Sequence, residues 1–185
     1  GGGFIGVGEP TACQHQGRFF QLSDVMGVDR EMGFSLSTDK YNTCDAHHFI
    51  LEDIDTAVDF GEGTSRIYAQ GKHYQILAQD GEYSQLVVNE YGKGHSVYFA
   101  GLPYSPQNCR ILLRAIYYAA GMPEEMKHYY VTNVDTEVTV FPETKRIAVI
   151  NNSEQAQKTD LYIKGRLVEQ LTLAPREMRW VADAE

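Results

Sequence analysis

Two short segments of the sequence place thiol and imidazole side chains close together. Cys13 is followed two positions later by His15, and Cys44 precedes the pair His47 and His48. A cysteine with a histidine as its base can attack an amide carbon, and thiolate and imidazole are also zinc ligands. Neither segment has the repeated close pairs, such as C-x2-C, that are typical of structural zinc sites. We therefore expect no metal, and a cysteine-dependent amidotransferase using Cys13 is an alternative.

The first apolar run ends in glycines, at the kind of turn where α/β proteins place phosphate loops and nucleophiles. Gly6-Val7-Gly8 could begin a dinucleotide fingerprint, but Thr11 stands where that fingerprint needs its third glycine. A nucleophile elbow needs Cys or Ser at this turn, which is instead occupied by Glu9 and Pro10. The turn therefore favours neither chemistry.

The elements that would position these residues indicate an α/β region over residues 1–122. Residues 4–7 are an apolar run typical of a strand covered on both faces, and apolar spacings of three and four predict a helix over residues 17–27. Residues 66–100 contain β-rich runs, with Asp80-Gly81 as a hairpin signal. A second helix is predicted to follow Ser105 as its N-cap and to end at Gly121.

Beyond residue 122 the apolar period changes to two. Six short alternating runs, spaced by roughly eight to twelve residues, predict a small antiparallel β-sandwich. The expected fold class is thus α/β followed by all-β, with domains at residues 1–122 and 123–185.

Composition excludes several classes of partner. The 16 basic and 25 acidic residues give a net charge of −9 without a basic stripe, which argues against nucleic acid and anionic membranes as partners. No apolar run approaches the roughly 20 residues that span a bilayer. Three scattered cysteines predict reduced thiols and, with the other features, a cytoplasmic protein.

Two predicted strands end in proline-containing loops, one at Gly8 and one at Gly101. Ligands of open parallel sheets collect beyond the carboxyl ends of strands. If the two strands are parallel neighbours, one edge of the sheet carries a set of substrate-proximal candidates. These are Glu9, Gln14, His15, Gln16 and Tyr104.

Several segments closely resemble one enzyme family. The segments are GGGFIGVGEPTA at residues 1–12, QHQGRFFQL at 14–22, VDRE at 28–31 and KGHSVYFAGLPYS at 93–105. The family is the bacterial 1,3-β-galactosyl-N-acetylhexosamine phosphorylases, also called lacto-N-biose or galacto-N-biose phosphorylases. The likeness extends over essentially the whole chain.

The resemblance implies an enzyme of three parts. An N-terminal (β/α) barrel carries the catalytic machinery, a middle domain resembles class I glutamine amidotransferases with their flavodoxin-like fold, and a small β-domain follows. The chain is similar to the second half of the middle domain plus the C-terminal domain. The implied reaction cleaves a β-1,3-galactosyl bond with inorganic phosphate as co-substrate and no cofactor. It yields galactose 1-phosphate, with inversion, and N-acetylhexosamine.

The same resemblance implies an auxiliary role for this chain. Its partners would be the barrel of the same polypeptide, the disaccharide substrate and a second copy in a homodimer. No catalytic residue is expected in the chain, which would be inactive alone and would begin inside a domain, leaving one side of the strand at residues 4–7 unpaired. The alternative of another class is a free-standing sugar-binding or interaction module, with the β-domain as its binding surface. The 12 Tyr and 8 Phe residues could stack on sugars, but they are more simply core residues and do not decide the question.

Overall fold

The computed structural model describes residues 1–15, 18–31 and 43–182. The chain divides into two compact units, Gly1–Met122 and Pro123–Glu185, and each is described by itself.

The elements of the first unit, in chain order, are β1 Gly3–Val7, β2 Ala12–His15, β3 Arg18–Phe20, α1 Ser23–Met26, β4 Val28–Arg30, a 3-10 turn Phe49–Leu51, β5 Ile67–Ala69, β6 Tyr74–Asp80, β7 Tyr83–Tyr91, β8 Gly94–Phe99 and α2 Pro106–Ala119. The main sheet has four strands in the order β1-β8-β7-β6, in which β1 and β8 are parallel and the other neighbours antiparallel. Two smaller antiparallel pairs, β2–β3 and β4–β5, accompany it.

The main sheet is covered on both faces, and β8 shows this most clearly. Val97, Tyr98 and Phe99 are all fully buried. Because successive side chains of a strand point to opposite faces, Tyr98 joins a cluster with Phe20, while Val97 and Phe99 join the cluster beneath α2. The sheet thus fixes the position of the loop that follows β8.

Helix α2 forms where the sequence predicts it. Ser105 Oγ accepts a hydrogen bond from the Asn108 amide at 3.0 Å, and Pro106 occupies the first turn. Ile111, Ala115 and Ala119 repeat every four residues and are buried against the sheet. Among the described residues, the helices are too short or too polar to cross a membrane.

The helix predicted over residues 17–27 is wrong. The described part of this segment is β3 followed by the four-residue α1, which ends at Gly27 in the left-handed conformation. The Phe19 and Phe20 amides donate to Asp29 Oδ1 at 3.1 and 3.0 Å, and these bonds to β4 hold the backbone extended. The periodic apolar residues therefore do not form one helical face.

The α/β expectation for this unit is correct only in part. The unit is mostly β, and its α/β character rests on the parallel β1–β8 pair and α2. Strand β1 is at the edge of the described sheet and is only partly buried, with Val7 43% exposed. Phe4 packs against the cluster of Tyr98 and Ile5 against the cluster beneath α2, so both faces of β1 are covered, but only in part.

The elements of the second unit are α3 Pro123–Met126, β9 Tyr129–Val131, β10 Thr136–Phe141, a 3-10 turn Pro142–Thr144, β11 Arg146–Asn151, β12 Gln157–Ile163, β13 Arg166–Leu173 and β14 Met178–Ala182. Its strands are the six antiparallel strands that the sequence predicts, and they form two sheets, β10-β11-β14 and β13-β12-β9. Val149 of one sheet and Leu161 of the other share one buried cluster. Lys164 and Gly165, both with positive φ, make a two-residue hairpin between β12 and β13.

Candidate functional site

The predicted parallel pairing of the strands before Glu9 and Tyr104 is confirmed. Val7 of β1 lies opposite Phe99 of β8, and the Gly8 amide donates to the Phe99 carbonyl at 2.9 Å. Glu9 and Tyr104 therefore follow the same edge of the main sheet. We call the region beyond these two strand ends the carboxyl edge.

The other sequence-predicted site residues follow Glu9 in the chain. The backbone of Gln14 and His15 belongs to β2, where His15 lies opposite Arg18 of β3. Gln16 lies outside the described residues. Tyr104 is 90% exposed in the loop before α2.

Glu9 is held by a residue that the sequence reasoning missed. Arg30 Nη1 donates to Glu9 Oε1 in an ion pair, and the Arg30 guanidinium lies 5.0 Å from the centre of the Phe19 ring. The cation–π contact and the ion pair orient one planar guanidinium from two sides. Glu9 keeps 45% of its side chain exposed, so its carboxylate is fixed but accessible.

A buried carboxylate fixes the strands that carry this pair. Asp29 is 2% exposed, and its Oδ1 accepts hydrogen bonds from the amides of Phe19, Phe20 and Arg30, the last at 2.8 Å. Because these amides belong to β3 and β4, one oxygen atom connects the two strands. The charged residues Asp29 and Arg30 directly after the apolar Val28 were the available signal in the sequence, but they did not identify the partners.

Tyr98, which is buried in β8, fixes the turn at Gly8 that precedes Glu9. Its hydroxyl donates to the Gly8 carbonyl at 2.8 Å. Burial raises the pKa of Tyr98 well above its usual range, with the Glu9 carboxylate adding to the rise, while a hydrogen bond with Thr64 and the charge of Arg30 oppose it. Tyr98 therefore stays a hydrogen-bond donor under ordinary conditions, and it anchors the backbone next to Glu9.

An open cleft of about 350 Å³ lies at the carboxyl edge. Two loops, residues 60–64 and 100–103, line it together with Gly8. A Cβ atom on Gly101 would lie 2.2 Å from the Phe60 carbonyl oxygen, so the loops approach each other through their backbones. The cleft offers peptide groups, the Thr64 hydroxyl and the Glu62 carboxylate, which can bind a polar group.

The start of α2 ties both walls of this cleft together. Asn108, 2% exposed, donates from Nδ2 to the carbonyls of Asp59 at 2.9 Å and Pro103 at 2.8 Å. Thr56 Oγ1 donates to Gln107 Oε1 at 2.6 Å, next to the same wall. The cleft therefore depends on side chains from outside its own lining.

The thiols and imidazoles do not assemble into a described centre. Burial, followed by the charge of Asp45, raises the pKa of the Cys44 thiol, which disfavours the thiolate. His47 is exposed and contacts Asp45, whereas His48 turns inward against Tyr118. Within residues 1–15, 18–31 and 43–182, no group of three or more His, Cys, Asp or Glu is arranged to hold a metal. Of Cys13 only the backbone is described, in β2.

Comparison with known proteins adds family matches for both units. Residues 1–125 match the family model described as lacto-N-biose phosphorylase central domain, and residues 129–181 match the C-terminal domain of the same name. A 1,3-beta-galactosyl-N-acetylhexosamine phosphorylase of Lachnoclostridium phytofermentans is 52% identical over 162 residues, 88% of this chain and 22% of the relative. A 1,3-beta-galactosyl-N-acetylhexosamine phosphorylase of Bifidobacterium longum subsp. longum is 35% identical, over 97% of this chain and 28% of the relative.

The chain thus spans about a quarter of the length of the curated relatives it matches. Among solved structures, the GH42 β-galactosidase Gan42B matches with a TM-score of 0.45 and 16% identity, over 91% of this chain and 25% of that protein. A likeness at this level carries no argument about fold or function.

Proposed function

The chain belongs to the lacto-N-biose phosphorylase family, as the matches to its central and C-terminal domains show, and from this premise we propose that it supplies the auxiliary domains of a disaccharide phosphorylase. The reaction of the whole enzyme would cleave a β-1,3-galactosyl-N-acetylhexosamine with inorganic phosphate. Relatives bearing the name of that activity support this assignment. The protein would act in the cytoplasm.

In this reaction phosphate attacks the galactose carbon from the face opposite the departing N-acetylhexosamine. A carboxylic acid protonates the leaving oxygen, and phosphate takes the place that water holds in an inverting hydrolase. We assign the acid and the phosphate ligands to the part of the relatives that this chain does not span. Glu9 is bound to Arg30, which supports a positioning role for it at the carboxyl edge.

Within the enzyme, the first unit would form the second half of a glutamine-amidotransferase-like domain. The single observation that carries this proposal is the open edge of β1, which has one neighbour in the described sheet. The backbone amides of successive residues in a strand point alternately to its two sides. Because the Gly8 amide donates to β8, the amides of Ile5 and Val7 point to the side of β1 away from β8. A further strand from the longer polypeptide would bind there, which would bring the carboxyl edge and Glu9 to Gln16 toward the catalytic barrel.

Complementation tests this proposal. The chain alone should release no galactose 1-phosphate from lacto-N-biose and phosphate, and mixing it with the separately produced remainder of the L. phytofermentans relative should restore activity. Ile5→Pro removes one outward amide and should abolish complementation, whereas Ile5→Val, which keeps the amide, should complement. Turnover by the chain alone would refute the auxiliary role. Equal complementation by both variants would refute strand addition.

A second candidate, a sugar-binding module, is favoured by one surface of the second unit. Trp180 and Phe141 are 41% and 42% exposed with ring centres 5.3 Å apart, and Arg146 lies 4.5 Å from the Trp180 ring centre. Exposed aromatic faces can stack on the apolar face of a sugar. Trp180 is the single tryptophan of the chain, so its fluorescence reports on this surface. The auxiliary role predicts no saturable change with lacto-N-biose, whereas a change lost in Phe141→Ala would favour the module.

A further inference from the structure

Residues 43–58 cross one face of the first unit as an irregular segment, which we call the strap. The Asp45 amide donates to the Ile76 carbonyl of β6 at 2.8 Å, and Ile50 is fully buried in the cluster beneath α2. Farther along, Asp53 Oδ2 accepts a hydrogen bond from Arg114 Nη2 of α2 at 3.0 Å. The strap is therefore attached at three places to elements that are far from it in sequence.

His48 stands at the centre of these attachments. Its Nδ1 accepts a hydrogen bond from the Ile50 amide at 3.2 Å and so caps the 3-10 turn Phe49–Leu51. The edge of its ring meets Tyr118 of α2, with centres 4.7 Å apart. The ring of His95 on β8 lies 5.1 Å from the same tyrosine. One imidazole thus joins the turn of the strap to α2.

The surroundings of His48 favour its neutral form. Burial lowers the pKa of His48 from the ordinary 6.5. From α2 it faces the Tyr118 ring, whose pKa is raised by burial and then by Glu90 of β7, so that group is an uncharged phenol. His95 of β8 is the further titratable group in this cluster, and it contacts Tyr118.

We propose that the strap is an acid-sensitive clasp, in which proton uptake at His48 Nδ1 releases the turn Phe49–Leu51 from α2. A proton on Nδ1 occupies the lone pair that accepts the Ile50 amide, so two donors then face each other. The imidazolium would also carry its charge in a half-buried position, which is unfavourable. Rotation of the ring toward solvent relieves both costs and draws Ile50 away from the core.

The strap leads directly into the wall of the cleft. Thr56 and Ala57 bind Gln107, and Asp59 binds Asn108, immediately before the lining residues 60–64. When the turn at His48 is released, fewer residues of the strap before this cleft wall remain bound to α2. The clasp makes the mobility of the cleft depend on pH, separately from any reaction of the whole enzyme.

The sign of the effect follows from linkage. Because the folded protein holds His48 neutral below its ordinary pKa of 6.5, the unfolded or opened state binds the proton more tightly. Neutral His48 makes its full contribution to stability above pH 6.5. This contribution is lost as the pH falls from 6.5 through the lower pKa that His48 has in the folded protein. Carboxyl groups with ordinary values remain ionised down to about pH 5, which leaves a usable window.

Amide exchange of the chain by NMR, corrected for intrinsic exchange rates, tests the clasp. Between pH 7 and pH 5 the protection of the Ile50 amide should fall at least about tenfold, roughly the effect of 1.4 kcal/mol, while core amides of β8 keep theirs. His48→Asn provides a cap acceptor that does not titrate, so its Ile50 protection should be independent of pH. His47→Asn, at an exposed position of the same strap, should behave like the unchanged chain.

Three results would overturn the proposal. These are constant Ile50 protection in the unchanged chain, an equal loss in His48→Asn, and a simultaneous loss throughout β8 that indicates global unfolding. Circular dichroism at pH 7 establishes whether His48→Asn is folded. If it is not, His48→Gln replaces it, with the same expectation.

Discussion

Single polar side chains hold the carboxyl edge together. Asp29 accepts hydrogen bonds from three backbone amides, and Tyr98 donates to the Gly8 carbonyl. Asn108 donates to Asp59, just before one cleft loop, and to Pro103 of the other. Each of the three is buried, so its hydrogen bonds are shielded from water and their loss leaves a partner unsatisfied. The geometry of the edge is therefore more sensitive to these residues than to its exposed members, Glu9 and Tyr104.

Replacement of Asp29 tests this view directly. Asp29→Ala leaves three amides without their acceptor and should lower the free energy of unfolding of the first unit by about 3 kcal/mol. Asp29→Asn keeps an oxygen at the same position and should cost less than half as much. Urea denaturation followed by far-UV circular dichroism measures both, and equal losses would show that the acceptor oxygen is not the important feature.

Burial of Tyr98 should make the stability of the first unit depend on pH in the alkaline range. The folded pKa of Tyr98 lies above the ordinary 10.0, so the folded state keeps a proton that the unfolded chain loses, and the associated stability declines as pH rises above 10. Tyr98→Phe should cost about 1 kcal/mol at pH 7 for the lost hydrogen bond. It should also lose less stability between pH 9 and pH 11 than the unchanged chain. Tyr104→Phe, at an exposed position, serves as the control, and an identical alkaline loss in Tyr98→Phe would contradict the assignment.

At the scale of elements, the sequence correctly predicted the helices and strands that depend on local capping and on a regular apolar period. Helix α2 was found from its cap, proline and apolar face, and the strands of the second unit were found from their alternation. The segment at residues 17–27 failed because Asp29, a tertiary partner, binds its amides and overrides the helical period. The positions of the strand ends in the sequence predicted that Glu9 and Tyr104 follow the same edge of the sheet. The sequence could not reveal Arg30, since its contact with Glu9 depends on the path of the chain between them.

The approach of the two cleft loops makes a further prediction. Gly101→Ala places a Cβ atom against the Phe60 carbonyl oxygen and should destabilise the first unit by about 2 kcal/mol through overpacking. Gly2→Ala meets nothing within 4 Å and should be nearly neutral. Chemical denaturation of both variants provides the comparison. If Gly101→Ala is also neutral, the loops are not in close contact through this glycine.

For the whole molecule, we expect the first unit's β1 strand and α2 helix to mediate association. Within the described residues β1 has β8 as its one neighbour, and α2, which packs on β1 and β8, presents Leu113 and Ile116 with 46% and 49% exposure. A strand edge without a partner and exposed apolar side chains both favour pairing with another chain. In the proposed enzyme the longer polypeptide or a second subunit of a homodimer would cover them.

Sedimentation velocity tests this surface in the chain alone. The weight-average mass should rise with concentration, and Ile116→Glu should shift the association to at least about tenfold higher concentration, an effect of roughly 1.4 kcal/mol. Val168→Glu changes a similarly exposed aliphatic residue of the second unit and should leave association unchanged. A chain that stays monomeric at every concentration would refute the prediction.

The parallel pair β1–β8 also has a kinetic consequence. It joins Gly3 to His95, which are far apart in the first unit's sequence, whereas the second unit contains two hairpins, β10–β11 and β12–β13, between strands adjacent in the chain. Contacts between distant residues form late because loop closure costs entropy before any contact compensates it. During synthesis β1 must therefore wait for β8 to leave the ribosome, and its edge is exposed for longer than any hairpin of the second unit. Refolding of the first unit should accordingly be the slower of the two.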